Sequence, residues 1–105
     1  MRVTTWEARA GGRINNAVPF DWSPDTWYTC KLVVEQKEKT ALVRAKVWPA
    51  NEKEPEKWLI EFEDSTPNRS GAAALYGYVS NVGDGGVPGA ECYYDKVMIT
   101  PNGKK

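Results

Sequence analysis

Apolar and polar residues alternate with a period of two along most apolar segments, and no segment sustains a helical stripe. In WYTCKLVVE, residues 27–35, Tyr28, Cys30, Leu32 and Val34 fall on one side of a strand, and Thr29, Lys31 and Glu35 on the other. ALVRAKVW, residues 41–48, sets Ala41, Val43, Ala45 and Val47 against Leu42, Arg44, Lys46 and Trp48. KWLIEFE, residues 57–63, sets Trp58, Ile60 and Phe62 against Leu59, Glu61 and Glu63, so parity predicts Trp58 inside the core and Trp48 outside it. AAALYGYVS (72–80) and ECYYDKVMIT (91–100) read as two further strands, with weaker ones over 2–8 and 13–20.

Turn-forming stretches separate these runs: SPDT, EQKEKT, PANEKEPEK, DSTPNRSG and the glycine-rich NVGDGGVPGA. Trp22 and Trp27 flank SPDT and are expected to anchor that turn. The spacing suits antiparallel neighbours. The expected fold is all-β, an antiparallel β-sandwich forming a single domain over 1–105, because two packed layers bury half-apolar strands most simply.

Charge narrows the functional classes. Fourteen basic residues balance fourteen acidic ones, so no whole-molecule field draws in nucleic acid or an anionic membrane, and neither is an expected partner. There is no histidine, which removes Ser-His-Asp, Cys-His and zinc-histidine chemistry. Cys30 and Cys92 lie far apart, outside any Cys-x-x-Cys spacing; they read as two buried thiols, with a single disulfide as the alternative. No stretch approaches the roughly 20 apolar residues of a membrane span, and the first residues carry no signal-peptide run, so the chain reads as a soluble module.

PFDWSPDTWYTCKLVVE, ALVRAKVWPANEKEPEKWLIEFED, GAAALYGYVS and CYYDKVMITP together resemble the C-terminal half of concanavalin A-like, laminin-G-like jelly-roll modules. More narrowly, they are similar to modules appended to bacterial exported proteins, including pyrroloquinoline-quinone-type β-propellers. The Trp27-Tyr28 pair, Leu75-Tyr76-Gly77, and Tyr94-Asp95 followed by Val97 and Ile99 carry the resemblance, which covers residues 14–101. It implies a jelly-roll sandwich and a periplasmic or extracellular setting. Jelly rolls use about eight strands; the present chain therefore reads as a trimmed fragment, a minimal sandwich, or a half completed by a second copy. The last option predicts a homo-oligomer.

Many such modules bind carbohydrate, which the resemblance implies as a role, with a polysaccharide or oligosaccharide as partner. Sugars pack their C–H faces on flat aromatic rings beside charged and amide groups. Trp48, Arg44, Glu61, Tyr76 and Tyr78 are the candidate sugar-binding residues, on the assumption that their strands share one sheet. In related jelly rolls a carboxylate near the last strand helps hold structural Ca²⁺, which makes Asp95 the candidate metal ligand, with Asp84 as a second donor; the alternative is that Asp95 caps a turn. Glu61 and Glu63 share a face about 7 Å apart, within the range of glycosidase pairs. Neighbours of both signs and the absence of the expected acidic motif read instead as a solvated face. The expectation is a non-catalytic module that binds carbohydrate, or alternatively a structural domain that self-associates or docks on a larger exported protein.

Overall fold

A computed structural model describes residues 1–5, 14–77 and 91–102. The protein is all-β: among the described residues there is no helix, and five strands form two antiparallel sheets. The chain divides into two compact units, Met1–Arg69 and Ser70–Lys105, and all five strands belong to the first.

Strands β1 (Arg2–Thr4) and β2 (Asn15–Ala17) pair with Val3 opposite Asn16. Backbone bonds extend the ladder at both ends, Val18 N–H to Met1 O at 2.9 Å and Thr5 N–H to Ile14 O at 3.0 Å. The second sheet has the order β3 (Tyr28–Gln36), β4 (Ala41–Pro49), β5 (Ile60–Asp64). Its register sets Leu32 opposite Ala45 and Val34 opposite Val43, and, on the other side of β4, Val43 opposite Phe62 and Ala45 opposite Ile60. One face of this sheet is therefore apolar across all three strands. Ala41, Val43, Ala45 and Ile60 are its buried centre.

The β3–β4 connection is a tight hairpin closed by Lys37 N–H to Thr40 O at 2.8 Å. Arg69 fastens it from outside: its guanidinium donates to Gln36 Oε1 at 2.6 Å, Lys37 O at 2.7 Å and Glu38 O at 3.1 Å. Before β3, Asp25 adopts φ +53°, and the Ser23 N–H donates to the Tyr28 hydroxyl at 2.8 Å. Tyr28 also meets Phe20 edge-on with ring centres 5.6 Å apart. The two tryptophans beside this turn are both exposed. Tyr28, not Trp22 or Trp27, anchors it.

Three other sequence expectations are corrected here. Residues 72–77 and 91–100 form no strand. The first of these begins with three alanines and ends in glycine, residues that fit a pleated, half-buried surface poorly. The second is broken by Lys96 at φ +53°, a left-handed turn conformation steadied by the Lys96 N–H donating to Asp95 Oδ1 at 2.8 Å. Cys30 and Cys92 are both exposed free thiols rather than buried ones.

The third correction concerns Trp58. Parity puts it with Ile60 and Phe62, yet its ring lies against Lys31, Arg44 and Lys46, all on the opposite, polar face. The Leu59 N–H donates to Ala45 O at 3.0 Å, and Ala45 is also the residue paired with Ile60. Strand β5 starts only at Ile60, so Trp58 and Leu59 precede the ladder and strand parity does not fix the side on which the Trp58 ring lies.

Candidate functional site

Among the described residues, the polar face of the three-stranded sheet gathers a dense set of ion pairs and ring contacts. Alternation along β3 and β4 brings Lys31, Arg44, Lys46 and Trp48 to this face, and Trp58, just before β5, lays its ring against it. The loop after β4 is started by a turn, with Glu52 N–H to Pro49 O at 3.0 Å, and returns across the sheet. Its Glu54 carboxylate accepts from Lys46 Nζ at 2.8 Å and from Lys31 Nζ at 2.9 Å. Lys46 also donates to Pro55 O at 2.6 Å, and its side chain is only 5% exposed. The Lys46 and Lys31 hydrogen bonds, in that order, hold the Glu54 carboxyl below its usual range.

Around this pair the Trp58 ring receives cations from three directions. Its centre is 4.5 Å from Lys46 Nζ, 5.3 Å from the Arg44 guanidinium carbon and 5.9 Å from Lys31 Nζ, all within cation–π range. Lys46 Nζ is also 5.7 Å from the centre of the Trp48 ring. Arg44 pairs with Glu35 at 3.2 Å and lies directly across from Glu61 in the β4–β5 register.

Of the five sugar-binding candidates, Trp48, Arg44 and Glu61 therefore share one face of one sheet. Tyr76 is an exposed residue of the second unit, where its carbonyl accepts from the Tyr94 hydroxyl at 2.6 Å. Tyr78 lies outside the described residues. Lys46, Glu54 and Lys31 are the residues that sequence reasoning missed. The loop PANEKEPEK reads as hydrated charge, and nothing in its composition marks Glu54 as the member that folds back.

The acidic candidates are placed as follows. Glu63 Oε1 accepts from Thr40 Oγ1 at 3.2 Å and pairs with Lys37 at 3.7 Å, so it is engaged by the hairpin. Asp95 uses Oδ1 to fix its own turn. Ca²⁺ wants six to eight oxygen ligands, and among the described residues no three acidic, cysteine or histidine side chains gather to hold a metal. Asp84, the second donor expected, lies outside the described residues.

The apolar face offers a different surface. A shallow groove of about 220 Å³ runs between β1 and the three-stranded sheet, with Val3, Leu32, Val34, Val43 and Phe62 as its apolar wall and Gln36, Asp64 and Asn68 at the rim. Leu32 remains 63% and Val34 41% exposed, although their β4 neighbours are buried. Cys30 is on the same face; the residue is exposed, yet its thiol is partly desolvated there, which pushes its pKa up. Comparison of the chain with protein-family models, curated proteins and solved structures found no match in any of the three.

Proposed function

We propose that the protein is a non-catalytic β-sandwich module of half size, related to the concanavalin-like jelly rolls, that functions by self-association through the apolar face of its three-stranded sheet. The observation that carries this reading is the exposure of Leu32 and Val34 in the middle of a nine-residue strand whose neighbours on that face are core. Leaving large apolar side chains in water forgoes roughly 25 cal/mol per Å². A covering partner recovers it.

Two features favour a second copy as that partner. The groove is smaller than the 300–1,000 Å³ typical of small-molecule sites, and its size suits one or two aliphatic side chains. The formal net charge is zero, so two copies meet without net repulsion, a condition that promotes association. Light scattering over a concentration series tests the proposal. A rise in mass with concentration that Leu32→Asp abolishes is the expected result; a folded wild-type chain that stays monomeric throughout refutes it.

A second reading rests on the polar face. Trp48 beside Arg44 and Glu61 supplies an aromatic ring with charged groups near it, the combination that recognises carbohydrate. Polysaccharide pull-down comparing wild type with Trp48→Ala decides it. Binding lost in the variant supports a sugar site, and no binding by either protein removes it.

A further inference from the structure

Lys46 is unusual for a lysine on an outward sheet face. Such a side chain ordinarily lays its stem along the surface and keeps its amine in water. This one is 5% exposed, and its amine is met by four groups: the Glu54 carboxylate at 2.8 Å, the Pro55 carbonyl at 2.6 Å, and the Trp58 and Trp48 rings at 4.5 and 5.7 Å. Burying an ammonium is costly unless it is paired and hydrogen-bonded. Here both conditions hold, and the indole rings add an attraction that grows when water is excluded.

Two indoles, a carboxylate and a carbonyl converge on one nitrogen, all from the single segment that leaves β4 and returns to β5. The rings come from β4 and from the residue two before β5, and both oxygens come from the loop between them. We propose that Trp48, Trp58, Glu54 and the Pro55 carbonyl constitute a binding cage for a primary alkylammonium group, filled in the free protein by the chain's own Lys46. Lys31 reaches the same Glu54 oxygen from β3 and is half-exposed, so it marks the mouth of the cage. The cage holds the loop over the sheet because its two oxygen ligands lie on that loop. It also withholds the facing sides of both rings from any outside ligand while Lys46 is in place.

A cage that is separable from its occupant can be emptied and refilled. Lys46→Ala removes the three outer carbons and the amine of the side chain, which together correspond to n-propylammonium. The variant is titrated with n-propylammonium chloride, followed by thermal midpoint and tryptophan fluorescence, with n-propanol and sodium chloride as neutral and ionic controls. The expected result is a saturable rise of the Lys46→Ala midpoint with the amine alone, no such rise in wild type, and loss of the response in Lys46→Ala/Glu54→Gln. No amine-specific rise, or an equal rise in wild type, overturns the proposal. If Lys46→Ala does not fold unaided, refolding from urea with each additive reads the same question: recovery with propylammonium only supports the cage, and equal recovery with all additives or none overturns it.

Discussion

Ile60→Ala and Leu32→Ala truncate branched aliphatic side chains on one face of one sheet, and they should have very different consequences. Ile60 is 4% exposed beside Ala45, and truncating a buried Ile or Leu to Ala costs about 2–5 kcal/mol through lost transfer energy and the cavity left behind. Leu32 lies across Ala45 on the other side, but 63% of its surface remains accessible. Only about a third of its side chain gains from burial, and little cavity forms, so its loss should be about 1 kcal/mol. Urea unfolding followed by tryptophan fluorescence measures both. At slopes of about 1–3 kcal/mol per molar urea, Ile60→Ala should lower the midpoint by about 1 M or more and Leu32→Ala by well under that. In dilute protein, equal losses would refute the placement of the core. Association adds a second dimension, because a partner that binds only the folded chain stabilises it by mass action. Raising the concentration should raise the wild-type midpoint and enlarge the Leu32→Ala deficit while leaving the Ile60→Ala deficit nearly constant; a concentration-independent Leu32 deficit would count against the association surface.

Three other measurements follow from the side-chain geometry. Lys46 and Lys31 depress the Glu54 pKa below its unfolded value, so this carboxylate contributes stability above the ordinary Glu range near about pH 4.3, and the contribution disappears as pH falls through the lower folded value. Glu54→Gln should flatten that part of the acid-unfolding profile, and superimposable profiles would refute the clamp. Partial desolvation raises the pKa of the otherwise exposed Cys30 thiol, so at neutral pH Cys30 should alkylate more slowly in the folded protein than in the urea-unfolded chain, which mass spectrometry of the labelled peptide reads directly; equal rates would contradict that desolvation. Arg69→Ala removes three exposed bonds to the β3–β4 hairpin and should cost about 1 kcal/mol with faster amide exchange at Lys37, and Arg69→Lys should not restore the loss because an ammonium cannot reproduce the planar fork.

How far the fold could be read from the chain depended on whether local pattern or pairing decided each element. β3 and β4 were legible to within a residue, because nine-residue alternation with β-branched and apolar positions specifies a strand whatever lies beside it. Residues 72–77 and 91–100 show the limit of the same rule. Alternation states that a segment could half-bury itself, not that a neighbouring edge exists, and alanines in one and a left-handed Lys96 in the other decide against extension. On the candidate face, placement turned on where β5 begins. Trp48, Arg44 and Glu61 reached a common face because uninterrupted parity governs them, whereas Trp58 lies before the start of β5, where parity no longer applies. No residue in KWLIEF advertises that late strand start. Its consequence is visible only in three dimensions: with Trp58 against the polar face, its ring offsets the cost of burying Lys46. The consequence for function is that the two tryptophans bracketing the charged loop do not divide into one for stability and one for recognition. They face the same amine, and whatever recognises either ring must contend with Lys46 first.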